Sequence, residues 1–183
     1  MQTEVIMSGF GGQGLMMIGK LLASSALEEG KDVTWLPSYG PEMRGGTANC
    51  TVVIADNPIG SPLISSPTAV IVMNQPSLEK FAPSLKKGGL LVINTSMVPI
   101  KSDREDIVSL GIEADDIALR AGSRRSANLV MLGAYIGLHE VVSHKTILKA
   151  IEKAFAMKKQ FLDVNRKTFL EGYKLGKAGK RDG

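Results

Sequence analysis

The stretch Glu4-Val-Ile-Met-Ser-Gly-Phe-Gly-Gly-Gln-Gly-Leu-Met-Met-Ile18 passes from a short apolar run through clustered glycines into residues with helical spacing. The run from Glu4 to Met7 predicts a buried first strand that ends at the glycines. Leu15 to Leu27 carries apolar residues at helical intervals with alanines between them, which predicts a helix packed on a sheet. A strand, a glycine turn and a helix in this order indicate an α/β fold.

The glycine turn has the spacing G-x-G-x-x-G, with its glycines at Gly9, Gly11 and Gly14 and with Gly12 and Gln13 between them. Glycine accepts positive φ and lets a ligand approach the backbone closely. A helix N-terminus offers unpaired N–H groups and the positive end of the helix dipole. We therefore expect these five residues to hold a phosphate or carboxylate. A tight turn without a ligand is the alternative.

Two familiar nucleotide sites do not fit this loop. A nicotinamide dinucleotide site places an acid at the end of the second strand, whereas the sequence there is Trp35-Leu-Pro-Ser38. A nucleoside triphosphatase loop requires Gly-Lys-Ser/Thr, whereas Leu15 and Met16 follow the glycines here. The loop is typical of an anion cradle without either of these accessories.

Alternation of strands and helices continues along the chain. Strand 33–36 is expected to stop at Pro37, and strand 48–55, which follows it through a loop, is expected to run antiparallel. Gly176 and Gly179 are expected to fray the last helix. We predict a single domain over 1–183 with a three-layer α/β/α, Rossmann-like fold and a mixed, mainly parallel sheet. The remaining predicted strands are 69–73 and 90–93, and the helices are 77–85, 103–110, 113–120, 126–138, 146–155 and 164–175.

Composition restricts the possible classes of protein. Of 183 residues 44% are hydrophobic, enough for a substantial core, and no apolar run reaches the length of a membrane span. Cys50 is the only cysteine, so the chain alone can hold neither an intrachain disulfide nor an iron–sulfur cluster nor a cysteine-based zinc site. The first ten residues do not resemble a signal peptide. We expect a cytoplasmic protein without a membrane partner.

The net charge of +4 is concentrated in a basic helical segment, 158–183, with eight basic and three acidic side chains. Such a segment is typical of a solvated helix face, although contact with an acidic partner is an alternative. Aromatic residues make up only 5% of the chain, so no stacking platform for single-stranded nucleic acid is expected. We therefore predict no nucleic-acid partner.

A second loop, Ser38-Tyr39-Gly40-Pro41-Glu42-Met43-Arg44-Gly45-Gly46, combines backbone-breaking residues with two opposite charges. Ligands of α/β sheets collect beyond the carboxyl ends of the strands. This loop follows such an end, so we expect it to border the same crevice as the glycine loop. The alternative is a loop that only turns a corner.

The two loops together resemble the γ subunit of 2-oxoacid:ferredoxin oxidoreductases, a unit that also occurs as a domain of single-chain pyruvate:ferredoxin oxidoreductases. The motifs are Gly9-x-Gly-Gly-Gln-Gly14 and Ser38-Tyr-Gly-Pro-Glu-x-Arg-Gly-Gly46. The resemblance spans nearly the whole chain and includes Asn128 in Ser126-Ala-Asn-Leu-Val-Met-Leu-Gly-Ala134.

The resemblance implies a subunit of an enzyme that oxidatively decarboxylates a 2-oxoacid with thiamine diphosphate, yields an acyl-CoA and reduces ferredoxin. It implies thiamine-binding α and β subunits and a ferredoxin-like subunit as partners, which hold the thiamine diphosphate and the iron–sulfur clusters. It leaves assembly and part of a coenzyme A site to this chain, at the two loops and Asn128. The 2-oxoacid stays open, and a nucleotide-sensing or scaffold module is the alternative function.

Other residues suggest less. Arg120, Arg124 and Arg125 precede a predicted helix, where they would meet a phosphate or an acidic partner surface, or simply be solvated. His139 and His144 are five apart rather than the four of a zinc-protease helix, so no metal site is expected. No nucleophile–base set is discernible, and we predict no catalytic residue in this chain.

Overall fold

Strands and helices alternate in the computed structural model, which describes residues 1–38, 47–100 and 102–180. The strands are β1 (Gln2–Phe10), β2 (Asp32–Ser38), β3 (Thr47–Ala55), β4 (Ala69–Val72), β5 (Leu90–Asn94) and β6 (Val108–Ile112). The helices are α1 (Leu15–Glu28), α2 (Gln75–Phe81), α3 (Ala114–Ala121), α4 (Ala127–Leu138), α5 (His144–Phe155) and α6 (Lys159–Gly179). Short 3-10 turns extend α2 (Ala82–Ser84) and precede α4 (Arg124–Ser126).

The six strands form one sheet in the order β2-β3-β1-β4-β5-β6. β3 runs antiparallel to both of its neighbours, and β1, β4, β5 and β6 are parallel. In the middle of the sheet Met7 is opposite Cys50 on one side and Ile71 on the other. The expected mixed, mainly parallel sheet and the antiparallel direction of the third strand are confirmed.

Helices cover the two faces of the sheet unequally. One face carries a large core in which Val5, Met7 and Cys50 meet apolar residues of α1 and α3–α6. The opposite face carries a smaller core, in which Ile6 and Leu78 lie together, and is covered by α2 with the segments that flank it. The alternation of Val5, Ile6 and Met7 between the cores follows from the two-residue repeat of a strand. The three-layer α/β/α architecture is confirmed.

Two strands differ from their predictions. Pro37 lies inside β2 instead of ending it, which an edge strand allows because one row of its N–H groups has no partner. The helix predicted over 103–110 is wrong, because Val108–Ile112 forms β6. β6 is specified by its parallel register with β5, from Leu90 opposite Val108 to Asn94 opposite Ile112, which a local pattern does not reveal.

The last helix also differs from its prediction. It begins at Lys159, and Gly176 does not fray it but is buried against α4. A Cβ atom at Gly133 would overlap the carbonyl oxygen of Phe169, and one at Gly172 would overlap that of Val130. Glycines on both helices therefore allow α4 and α6 to approach to backbone contact. None of the helices within the described residues is both long and apolar enough for a bilayer crossing.

Candidate anion-binding crevice

A crevice opens where the chain changes from one face of the sheet to the other. β1 and β4 are parallel neighbours, but α1 after β1 packs on the larger core whereas α2 after β4 packs on the smaller one. The carboxyl ends of the two strands are therefore separated by helices that leave in opposite directions. Such switch points are where α/β sheets bind ligands.

The glycine loop lies at this switch point. Gly12 has φ +93° and Gly14 has φ +76°, backbone conformations that favour glycine. No atom lies within 4 Å of the position that a Cβ atom of Gly12 would occupy, so its backbone is open to a ligand. Gly14 caps α1, whose N-terminus receives no side-chain hydrogen bond, and the first N–H groups of the helix therefore remain available for an anion.

Gln13 and Gly9 shape the loop from within. The Gln13 side-chain oxygen accepts a hydrogen bond of 2.6 Å from Phe10 N, and its Nε2 donates to Met73 O at 3.5 Å. Gly9 is buried inside β1, where a Cβ atom would overlap Gln13 and lie 2.7 Å from Met73 Cβ. Both residues therefore join the loop to the end of β4, while Gly11 and Gly12 are exposed.

Asn128 ties the glycine loop to α4. Its Nδ2 donates to Gly14 O at 3.0 Å, and its Oδ1 accepts from Leu129 N at 2.9 Å. The side chain is 1% exposed. Asn128 therefore positions the glycine loop, and its contact with a ligand stays a prediction.

A cavity of about 200 Å3 lies between the glycine loop and the start of α4. Positive charge collects there, because the N-terminus of α4 and two arginines border the cavity. Arg125 forms no ion pair within the described residues and is exposed. The lining residues are Gly12, Gln13, Met73, Asp115, Arg124, Arg125, Ala127 and Asn128.

The Arg124 guanidinium is held by a hydrogen-bond network that starts at the end of β5. Asn94 accepts a hydrogen bond from Ala114 N at 3.2 Å and donates to Asp115 Oδ2 at 2.6 Å. The other Asp115 oxygen accepts from Arg124 Nε at 2.8 Å. This bond raises the pKa of Arg124, which stays a cation. Arg124 is thus partly neutralised, and Arg125 is the free cation of the cavity within the described residues.

The second loop is represented here by Ser38 alone. Ser38 is the exposed last residue of β2 and is opposite Asn49 on β3. Two strand spacings separate β2 from β1, about 10 Å. The other predicted site residues of this loop, Tyr39, Gly40, Pro41, Glu42, Arg44, Gly45 and Gly46, lie outside the described residues.

Sequence reasoning missed two contributors to the crevice. Met73 closes it from the end of β4, and Asp115 fixes Arg124 from α3. The sequence did point to cations at the crevice, because Arg124 and Arg125 precede a predicted helix start and both line the cavity. Arg120, the third arginine considered, lines a different cavity. Asp115 gave no signal, since only the folding of α3 onto β5 brings it to the arginine.

The crevice and sheet together define an α/β module with a candidate anion-binding site at its switch point. A family model described as pyruvate ferredoxin/flavodoxin oxidoreductase matches residues 4–175. The chain belongs to this family.

Two relatives show how much of the chain is shared. The ketoisovalerate oxidoreductase subunit VorA of Methanothermobacter marburgensis is 37% identical, over 93% of this chain and 36% of that protein. The chain thus spans about a third of the length of this relative. The 2-oxoglutarate synthase subunit KorC of Methanocaldococcus jannaschii is 33% identical over 97% of this chain and 95% of that protein.

Two solved structures share the fold. The keto/oxoacid ferredoxin oxidoreductase gamma subunit of Geobacter sulfurreducens superposes with a TM-score of 0.83 at 31% identity, over 96% of this chain and 99% of that chain. The 2-oxoglutarate:ferredoxin oxidoreductase of Magnetococcus marinus, solved with 2-oxoglutarate, coenzyme A and succinyl-CoA bound, gives a TM-score of 0.88 at 23% identity. That match covers 97% of this chain and 31% of that chain, and supports the fold.

Proposed function

We propose that this chain is the gamma subunit of a multi-subunit 2-oxoacid:ferredoxin oxidoreductase. The observation that carries the proposal is a glycine-lined anion crevice at the switch point of the sheet, in a chain that aligns with KorC along 97% of its length. The complex would decarboxylate a 2-oxoacid oxidatively to an acyl-CoA and reduce ferredoxin. Its location would be cytoplasmic, and 1–183 would form one domain.

The other subunits would supply the redox chemistry. Thiamine-binding α and β subunits and a ferredoxin-like subunit would hold the thiamine diphosphate and the iron–sulfur clusters. Thiamine diphosphate stabilises the carbanion formed on decarboxylation. This chain has one cysteine, too few to hold an iron–sulfur cluster, so its proposed contribution is assembly and part of the coenzyme A site. We assign no catalytic residue to it, and we expect the isolated chain to be inactive.

Coenzyme A is the substrate whose chemistry fits this crevice. Its pyrophosphate and ribose phosphate need N–H donors and cations, which the backbone at Gly12, the start of α1 and Arg125 supply. A cavity of about 200 Å3 is smaller than the pockets that enclose a whole ligand of this size. The chain would therefore hold phosphate groups in a site that Ser38, the 39–46 loop and other subunits complete.

Two substitutions at Gly12 test this assignment. Gly12→Asp and Gly12→Asn introduce side chains of nearly equal size at the same positive φ, with no atom within 4 Å of the new Cβ atom. Only Asp adds a negative charge where phosphate is expected. In the assembled complex, Gly12→Asp should raise the KM for coenzyme A at least about fivefold above that of Gly12→Asn, at similar kcat. Equal KM values in intact complexes would contradict the coenzyme A site.

Reconstitution tests the subunit assignment separately. Partner subunits without this chain should lack coenzyme A-dependent ferredoxin reduction, and addition of this chain should restore it. Assays with pyruvate, 2-oxoglutarate and branched-chain 2-oxoacids then identify the substrate. Full activity without the chain would refute the proposal. Tight adenine-nucleotide binding by a chain that joins no complex would favour the sensing or scaffold alternative.

A further inference from the structure

Within the described residues, the sheet has an open edge at β6. Val108 N donates to Gly89 O at 2.9 Å and Ile112 O accepts from Thr95 N at 2.8 Å, so alternate residues of β6 bond to the β5 side. In a parallel ladder both backbone groups of a residue point to the same side. The N–H and C=O groups of Ser109 and Gly111 therefore point outward, and both residues are exposed.

This edge lacks the devices that usually protect edge strands. At the opposite edge β2 contains Pro37 and the charged Asp32. β6 reads Val-Ser-Leu-Gly-Ile, with no proline and no charge. Natural proteins protect exposed edges with proline, charge, a bulge or a covering element, because free edges pair with other chains. An edge that carries none of these features among the described residues is available to pair with another chain.

A slot beside the edge has room for one additional strand. Its volume is about 630 Å3, and α3 and α6 form its wall. Ile117, Ala121 and Leu175 give this wall an apolar part, and Leu175 is 40% exposed. Alternate side chains of an added strand would face these helices, because successive residues point to opposite faces of a sheet.

Charges around the slot favour an acidic occupant. Arg120 and Lys167 border it and form no ion pair within the described residues. Glu171, also at the slot, is bonded to Lys174 Nζ at 3.0 Å. Glu113 is the remaining acid of the lining. Two free cations face one free carboxylate, so an acidic side chain opposite the cations would be stabilised.

A second copy of this chain fits the slot less well than a single strand. Antiparallel pairing of two β6 strands requires a twofold axis perpendicular to the sheet. That axis would place α3 and α6 of both copies on the same face, across one seam. Because α3 and α6 already border the edge, the helices of the two copies would compete for the same space beside β6.

We propose that β6 receives an extended segment of another subunit as a seventh strand of the sheet. The segment donates to and accepts from the backbone of Ser109 and Gly111, packs alternate apolar side chains on Ile117 and Leu175, and places an acidic side chain near Arg120 and Lys167. This inference rests on the proposed multi-subunit assembly and adds a specific docking surface to it.

Hydrogen–deuterium exchange on the isolated chain and on the reconstituted complex tests the proposal. The amides of Ser109 and Gly111 should exchange at least about tenfold more slowly in the complex, because the added strand accepts their hydrogens. Unchanged exchange in an assembled complex would overturn the docking surface but leave the proposed function intact. Failure of the wild-type chain to join any complex would overturn both.

Ser109→Pro and Ser109→Ala provide a matched pair. The Ser109 N–H makes no bond to β5, so proline leaves the ladder intact but removes the outward donor and blocks the edge. Ser109→Pro should weaken assembly at least about tenfold by titration of the partner subunits, while Ser109→Ala should assemble like wild type. Equal affinities would overturn the proposal. If Ser109→Pro does not fold, the reversal Arg120→Glu, controlled by Lys145→Glu on α5, replaces it with the same expected contrast.

Discussion

At the scale of single residues, Cys50 shows how packing determines chemistry. It lies in β3 with no exposed surface, and its thiol donates to Leu15 O at 3.4 Å. Gly19 of α1 packs against the sulfur, because a Cβ atom at Gly19 would lie 2.5 Å from Cys50 Sγ and 3.0 Å from Trp35 Nε1. Burial raises the pKa of the Cys50 thiol to about 12, and the neighbouring Trp35 indole opposes this in part.

The folded protein should therefore be inert towards thiol reagents. With a pKa of about 12, a fraction of only about 10⁻⁴ of the thiol is ionised at pH 8, and the thiolate is the reactive form. Ellman's reagent should label Cys50 at least about a hundredfold more slowly in the native protein than in urea. The denatured chain, with its single thiol, is the internal control, and rapid labelling without denaturant would contradict the buried environment.

Residue types in the crevice could be predicted from the sequence, but their roles only in part. The positive φ of Gly12 and Gly14 follows from the spacing of the glycines after a strand. The amides of Gln13 and Asn128, which were also expected to bind a ligand, are bonded to protein backbone and shape the loop, and their contact with a ligand stays a prediction. The role of Asn128 depends on a contact across 114 positions of the chain, which a local motif does not encode.

At the scale of elements, the close packing of α4 against α6 depends on glycine. Gly133 and Gly137 of α4 face Gly172 and Gly176 of α6, and a Cβ atom at any of them would meet the backbone of the other helix. Glycine inside a helix costs about 1 kcal/mol relative to alanine. The close approach offsets this cost through dispersion contacts between the two backbones.

Gly172→Ala should therefore destabilise the protein despite the better helix propensity of alanine. A Cβ atom at this position would overlap Val130 O and lie 2.8 Å from Val130 C, and backbone atoms cannot move aside as a flexible side chain can. We expect the free energy of unfolding to fall by at least about 2 kcal/mol, measured by urea titration. Gly60→Ala is the matched control, because nothing lies within 4 Å of its Cβ position. Equal stabilities of the two variants would contradict the close packing.

Prediction of elements from sequence succeeded where each element carries its own signal. β1, β4 and β5 are buried apolar runs and were recognised. β6 is half exposed and takes its conformation from β5, so local spacing suggested a helix instead. The glycines of α6 were interpreted as a helix end because glycine has a low helix propensity. Their packing against α4 depends on a partner helix that the local sequence does not reveal.

At the scale of the whole molecule, the stability of the fold depends on groups far from the crevice. His139 caps the C-terminus of α4, and its ring lies 6.3 Å from that of Tyr135. Burial lowers the pKa of His139, and Lys180 and Lys31 lower it further. The native state therefore holds this imidazole neutral at a pH where the unfolded chain already binds a proton.

This difference predicts the direction of the pH dependence. The unfolded state takes up more protons than the native state below the ordinary His pKa of 6.5, so the free energy of unfolding should fall as the pH falls through that value. Urea titrations at pH 7.5 and 5.5 measure the effect, and both values lie above the range in which the carboxylates of Asp56 and Glu140, whose pKa values are lowered, become protonated. His139→Gln removes the titrating group, so its loss of stability between the two pH values should be smaller than that of wild type. An identical loss in the variant would show that another group governs acid sensitivity. Removal of the Lys180 and Lys31 charges together should reduce this pH dependence without abolishing it, because burial is the larger cause of the lowered His139 pKa.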